Sequence, residues 1–314
     1  MTQVNRNWAV ALFAILLSTF LVPVCYGQAV AVAEVHGQVL DTSNAAIGGG
    51  QVKMTQTATQ YVRSAISGAD GTYSLPNLPV GPYAFEVTAA GFKTYIQSGI
   101  ILQVGSSIQV NATLQVGAVT ENIQVTASAN MVETRSNSVA QVIDERRIME
   151  LPLNGRQATD LIVLSGGATP TPPANMTSSK NYPSSTTMSV AGGQGNGTNY
   201  LLDGGDNVSN FTNVNMPFPF PDALQEFSVE TSSLPARNGM HPGGVVNVVT
   251  KSGTNQLHGD WFEFLRNGNV NARNFFGTNH DSLKRNQFGG TLGSRIVQDK
   301  LFFFGGFQLT RNRQ

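Results

Sequence analysis

Two runs near the end of the sequence constrain the fold more than anything before them. Asn286–Ile296 alternates Phe288, Gly290, Leu292, Ser294 and Ile296 on one face with Gln287, Gly289, Thr291, Gly293 and Arg295 on the other. After a tight turn at Val297–Lys300, Leu301–Thr310 returns with Leu301, Phe303, Gly305, Phe307 and Leu309 on the apolar face. A period of two sustained over this length is a strand period. A strand that is apolar on one face and small or polar on the other suits a wall between lipid and water. The cluster Phe302–Phe304 falls beside the turn, where an interfacial aromatic belt belongs. Upstream, a strand around Trp261–Leu265 reaches Asn286 through a long loop, and long loops and short turns alternate on the two sides of a membrane barrel. The residues predict three strands that run outward, back and outward again.

The stretch Pro221–Gly259 leads into this wall. Within it, Gly243–Val249 (GGVVNVV) is too apolar for a loop and too short for a helix. It reads as a strand covered on both faces, followed by the turn signal Lys251–Thr254.

Charge is sparse and balanced. Lys+Arg and Asp+Glu both number 19, and 12% of residues are charged. A nucleic-acid partner would require a basic stripe, so that class is excluded. With Gly at 33 and Pro at 14, the chain reads as turn-rich β, and long amphipathic helical patterns are nearly absent. At the N-terminus, Arg6, the apolar run Trp8–Val22 and the residues before Gln28 read as a signal peptide over 1–27. The apolar run is shorter than the ~20 residues of a membrane helix and is broken by Pro23. Cys25 is the only cysteine, and Val24 before it disfavours a lipoprotein signal. The mature chain is therefore expected to carry neither disulfide nor thiol chemistry.

In 30–116, period-two alternation at Tyr83/Phe85/Val87 and Ile108/Val110/Ala112/Leu114 is punctuated by turns at Asp41–Gly50, Gly68–Gly71, Pro79–Pro82 and Gly91. Some seven short strands at this spacing predict an antiparallel β-sandwich. Asp70–Leu75, Leu78–Tyr83 and Ala90–Phe92 together resemble the carboxypeptidase regulatory-like domain, a prealbumin-like sandwich without catalytic residues. A spacer role is the plainer reading of such a unit, and sugar or partner binding the other.

The segment 117–128 follows. Glu121, Asn122, Ile123, Gln124, Val125, Thr126 and Ala127 read either as a last sandwich strand with its linker or as a TonB box. An extended, β-prone run without Pro is what strand addition needs. Over 129–254 a mixed α/β unit is expected. Asp144–Glu150 forms a short helix stopped by Pro152. A second helix is capped by Asn154 with Gln157 as reciprocal cap, buries Ala158, Leu161, Ile162 and Leu164, and ends at Gly166-Gly167. Strands are expected at Thr187–Ala191 and Asn199–Asp203. The long loops Ala168–Thr186 and Asn207–Pro221 surround them, the latter apolar at Met216, Phe218 and Phe220.

Leu151–Arg156, Tyr200–Asn207, Pro221–Val229, Gly243–Gly259, Asn271–Phe276 and Lys284–Gly293 follow the order seen in Oar-like TonB-dependent outer-membrane receptors, which this chain resembles from the sandwich onward. Ser294-Arg295-Ile296 departs from the pattern, standing where relatives carry a Gly-Pro pair. The resemblance implies a mainly β fold: the sandwich, an α/β plug domain, and the first three or so strands of an incomplete transmembrane β-barrel over 255–314. It implies an outer-membrane location in a Gram-negative bacterium, with sandwich and plug on the periplasmic side. The implied partners are outer-membrane lipid, a TonB-type periplasmic coupling protein and a large or scarce solute, with saccharides or polymers favoured by the sandwich. The plug motif residues are Asn154, Gly155, Arg156, Asp203 and Asp206, with Arg156 as a plug–wall charge. Phe218 and Phe220 are ligand-facing aromatics, and Ile123 and Val125 are coupling contacts. Plugged transporters have about 22 strands, whereas 55 residues follow Gly259 in this chain of 314. The expectation is a barrel begun and not closed, because an open edge in lipid leaves backbone groups unpaired.

No enzyme is expected. Lys251-Ser252-Gly253 lacks a Ser-x-x-Lys partner, and Gly192–Gly197 lacks the Lys-Ser/Thr of a phosphate loop. Asp203–Asn207 lacks the twelve-residue calcium loop and reads as a turn. His36, His241, His258 and His280 lack metal-ligand spacing, and no cofactor or metal is expected. The competing reading is a secreted carbohydrate-binding or adhesion protein that uses the sandwich and transports nothing.

Overall fold

The computed structural model describes residues 31–119, 121–126, 138–153, 155–171, 187–210, 213–232, 234, 243–273, 275–277 and 282–313. The expected signal peptide, Ala127 and Asn154 lie outside the described residues.

The first unit is a two-sheet sandwich. One sheet orders β4 (Thr72–Pro79), β1 (Val32–Asp41) and β7 (Ser107–Gln109), with β8 (Ala112–Leu114) also on β1. The other orders β3 (Val62–Ile66), β2 (Gln51–Gln56), β5 (Gly81–Thr88), β6 (Thr94–Leu102) and β9 (Asn122–Thr126). Alternate residues of the facing strands, among them Val35, Met54, Leu75, Tyr83, Phe85, Val87 and Ile100, form a single buried core. The antiparallel expectation needs correction. β7 and β8 both join β1 in parallel, and β9 joins β6 in parallel. Parallel neighbours require a crossover rather than a hairpin, and local alternation carries no information about it.

The central unit is a five-stranded sheet ordered β10 (Val139–Asp144), β15 (Leu224–Ser232), β16 (Val245–Thr250), β13 (Asn199–Leu202) and β14 (Gly205–Asp206). β16 sits in its middle with Val245, Val246, Val248 and Val249 buried, which explains why it reads as a continuous apolar run. Helix α1 (Glu145–Glu150) begins where the Asp144 side chain accepts from the Arg147 amide, and it ends before Pro152. The expected second helix is a 3-10 helix, Ala158–Ser165, whose cap residue Gln157 makes no side-chain capping bond. It buries Ala158, Leu161 and Ile162 against Tyr200, Phe227, Val229 and Val246. Leu164 is exposed, not buried. Residues three apart stack on one face of a 3-10 helix, so Leu164 shares the face of Ala158 and Leu161 and is exposed because it stands in the last turn, one residue before the helix ends at Ser165. A two-stranded ribbon, β11 (Ala168–Pro170) with β12 (Met188–Val190), closes one side.

The third unit is a wall of β17 (Trp261–Asn267), β18 (Lys284–Val297) and β19 (Leu301–Arg313), antiparallel throughout. The register pairs Phe288 with Leu309, Gly290 with Phe307, Leu292 with Gly305 and Ser294 with Phe303. Trp261, Leu265, Leu292, Ile296, Leu301, Phe303, Phe307 and Leu309 are all exposed on this wall. Gln287 and Thr291, on the opposite face, are buried. A belt of exposed large apolar side chains opposite a buried polar face is the inverse of a water-soluble sheet. Of Phe302–Phe304 only Phe303 joins the outer face. Phe304 stacks on His258 instead, with ring centroids 6.3 Å apart.

Candidate functional site

The central unit meets the wall at Gly155 and Arg156. Both have positive φ, 75° and 58°. The φ of Gly155 favours glycine, and a Cβ there would meet only the flexible end of Arg285, with Nη1 at 2.8 Å. The Gly155 carbonyl accepts from Gln287 Nε2 at 3.0 Å. Arg156 Nη2 donates to Asp222 Oδ2, and both side chains are buried. Asp222 is presented by a one-turn 3-10 helix, Pro221–Ala223, started by its proline.

Two wall aromatics complete the setting. The Arg156 guanidinium lies 4.6 Å from the Phe262 ring centroid and 4.0 Å from that of Phe264. Its Nε has no hydrogen-bond partner, and the π faces supply the compensation. Burial lowers the Arg156 pKa, and the Asp222 carboxylate opposes that shift. Phe220 packs on Phe262 with centroids 5.7 Å apart, and Phe218 packs on Tyr200 at 6.2 Å. A cleft of about 520 Å³ opens beside the pair. It is lined by Phe218, Phe220, Gln157, Gln287, Gln308 and Thr310, among others.

The other motif residues lie elsewhere. Asp203 and Gly204 form a two-residue hairpin between β13 and β14 with φ of 48° and 79°, the left-handed pair that a tight hairpin demands. Asp203 accepts from the Thr250 amide and the Thr250 hydroxyl, each at 2.8 Å. Its role there is to fasten the hairpin to the end of β16. Asp206 is exposed on β14. Glu121–Thr126 sits on the sandwich. Thr94 to Ser98 of β6 pair in order with Asn122 to Thr126, and Glu121 forms an ion pair with Lys93 at 2.7 Å. Ile123 and Val125 are half-buried. β9 ends the sheet, so its outer edge pairs with no described strand.

Sequence reasoning did not single out Asp222, Phe262, Phe264 or Gln287. It also passed over Glu226, which joins sandwich to central sheet. The Glu226 side chain accepts from the Val104 amide at 2.8 Å, beside a cluster of Val80, Val104 and Val249. Burial pushes its carboxyl up to about 7 from 4.5, and the Val104 hydrogen bond only partly offsets this. Because the folded value is the higher one, the folded state holds its proton longer than the unfolded chain. Stability should therefore be highest below pH 4.5, fall between about 4.5 and 7, and level off above. The drop is on the order of 3 kcal/mol at most. Thermal unfolding from pH 4 to 8 should show it, and Glu226→Gln, which keeps an acceptor for Val104, should flatten the profile.

The carboxypeptidase regulatory-like domain family matches residues 34–115, and the outer membrane beta barrel domain family matches residues 249–314. The TonB-dependent transporter Oar of Myxococcus xanthus is 26% identical over 272 residues, a match covering 82% of this chain and 24% of that protein. The chain thus pairs a carboxypeptidase regulatory-like domain with part of an outer-membrane barrel and is similar to Oar. It is mainly β and is an outer-membrane protein of the Gram-negative type. The chain spans about a quarter of the length of that curated relative. Among solved structures, the siderophore receptor PirA from Acinetobacter baumannii covers 60% of this chain and 26% of its own, at 18% identity and a TM-score of 0.43. The ferric enterobactin receptor PfeA in complex with BCV-L6 covers 57% and 26%, at 16% identity and a TM-score of 0.42. The likeness to TonB-dependent receptors rests on the two domain families and on Oar.

Proposed function

We propose that this chain is the gating part of an outer-membrane receptor that binds a large or scarce solute and admits it when energised from the periplasm. The central unit acts as the plug, and its hold on the wall is the observation that carries the reading. One buried ion pair, Arg156–Asp222, seated on two wall rings, fixes the plug to the inner face of the strands. Such a joint is rigid while intact and can be broken by displacing a single loop. The exposed apolar face of β17–β19 favours a lipid contact over a secreted, water-soluble form.

Sidedness follows from the turn at Val297–Lys300. Asp299 and Asn255 exchange hydrogen bonds of 2.8 and 3.0 Å, and the Asn255 amide donates to Ala58 of the sandwich at 3.1 Å. The sandwich therefore lies on the short-turn side, which is periplasmic in such barrels. Polyhydroxylated solutes are the first class to assay. The amides of Gln157, Gln287 and Gln308 beside Phe218 and Phe220 in the plug–wall cleft combine donors, acceptors and apolar faces suited to a saccharide.

The coupling strand is β9. Its outer edge, which pairs with no described strand, can accept a strand from a TonB-type periplasmic protein without prior unfolding. In a complete receptor containing this segment, Ile123→Cys should crosslink to the coupling protein, and scrambling 121–127 should abolish uptake while leaving solute binding intact. Unchanged uptake after scrambling removes β9 from the mechanism.

A further inference from the structure

The lipid-facing side of the wall ends in a cluster of cations. Leu301, Phe303, Phe307 and Leu309 of β19 are exposed on it, and strand alternation carries Arg311 and Arg313 onto the same face. Lys284 of β18 shares that face, because it pairs with Arg313 as Phe288 pairs with Leu309. All three cations are exposed. They stand at the end of the hairpin remote from the turn at Val297–Lys300.

Strand geometry sets their height in the membrane. Arg311 lies ten residues beyond Leu301, roughly 34 Å along the strand at ~3.4 Å per residue. With a strand tilt of about 40°, that is about 26 Å along the membrane normal, against an apolar band about 25 Å tall. Arg311 therefore falls where hydrocarbon gives way to headgroups, and Arg313 and Lys284 lie just beyond.

The register makes this cluster costly when nothing binds it. Lys284 and Arg313 are direct cross-strand partners, and like charges so placed, with Cβ atoms about 5 Å apart, repel. Arg311 is the diagonal neighbour of Lys284, at about 7–8 Å. Glu263, on the same face of β17, lies deeper in the wall opposite Phe288 and accepts from Asn286 Nδ2 at 3.1 Å. Long cations at the rim of a membrane span can simply reach up into water. That role gives no reason to set two of them opposite each other, whereas an anion shared by all three removes the repulsion.

We propose that Lys284, Arg311 and Arg313 bind the phosphate-bearing headgroup of an outer-leaflet lipid. The site rests on the lipid-facing wall and periplasmic short turn of the proposed function. Phosphate offers several acceptor oxygens, which Arg takes two at a time and Lys meets as a point charge. The lipid's chains would lie against Leu309 and Leu265, both exposed in the rows just below the cations. A free phosphate ion makes no use of that adjoining apolar surface, so the face selects a lipid.

The test uses a complete receptor containing this segment, purified in detergent. Mass spectrometry would identify the lipids it retains from an equimolar mixture of phosphatidic acid and diacylglycerol, which differ only in the phosphate. Phosphatidic acid should be preferred. Arg311→Gln should lower the preference about fivefold, the effect of one basic residue near a membrane surface. Replacing all three cations by Gln should abolish it, while Arg295→Gln, at the other end of β18, should not change it. Thermal unfolding separates lost binding from lost folding. Without lipid, Lys284→Gln should unfold no earlier than the parent because it relieves repulsion, and with phosphatidic acid it should unfold earlier. Equal retention of the two lipids by parent and variants means that the cations only reach into water, and overturns the site. Retention of neither lipid means that the wall does not face lipid, and overturns the underlying reading as well. Displacement of phosphatidic acid by an equal concentration of inorganic phosphate overturns the assignment to a lipid.

Discussion

Asp222→Ala is expected to destabilise the chain by about 3–5 kcal/mol, the cost of leaving a buried charge without its partner. Arg156 cannot escape to water by a simple rotation. Its backbone is held in a left-handed turn, and its guanidinium is sandwiched between Asp222 and the rings of Phe262 and Phe264. Removing the carboxylate leaves desolvation in force and deletes the interaction that opposes it. The double variant Arg156→Met, Asp222→Leu should recover most of the loss, because well-packed apolar groups can replace a buried ion pair at little net cost. Denaturant midpoints of the three proteins in detergent provide the check. A loss below about 1 kcal/mol for Asp222→Ala, the range of exposed pairs, would mean that the joint is open to solvent. The plug would then have some other hold on the wall.

Gly253→Ala should cost about 3 kcal/mol, the upper part of the overpacking range. A Cβ there would lie 2.3 Å from the Phe303 carbonyl oxygen and 2.6 Å from that of Ser294. These two residues are paired across β18 and β19, so the new methyl would push on backbone from both strands at once, and no side-chain rotation relieves it. The junction between plug and wall must then lift off the hairpin or pull it apart. Gly305→Ala on β19 is the matched control, because a Cβ there meets nothing within 4 Å. Its unfolding temperature should match the parent's while that of Gly253→Ala falls. Equal behaviour of the two would show that the junction does not ride on the hairpin.

Much of the wall was legible beforehand. The alternation in Asn286–Ile296 and Leu301–Thr310 placed two strands and their turn, because a strand exposed to lipid on one face has its periodicity imposed by the two solvents it separates. The structure lengthened them only to Lys284–Val297 and Leu301–Arg313. The apolar run in β16 was legible for the same reason in reverse, since both its faces are covered. The helix over Ala158–Ser165 was legible as a buried turn, but its geometry was not. The choice between α and 3-10 in so short a segment is made by packing rather than by propensity.

The candidate site was half legible. Arg156 could be singled out because its motif, Asn154-Gly155-Arg156, is local. Its partner could not, because 66 residues separate Arg156 from Asp222, and no local pattern marks one acidic residue as the one that will be buried. Phe262 and Phe264 read only as strand aromatics until the register turned them inward.

The sequence by itself determined a β chain with a sandwich, a covered central strand and a wall that faces lipid, since hydrophobic period and turn chemistry are local properties of the chain. Tertiary structure alone decided which strands run parallel, that β9 belongs to the sandwich sheet, and which charges are buried together. Those outcomes depend on contacts between residues far apart in sequence. Their energies come from desolvation and pairing at the contact, and neither exists until the units meet.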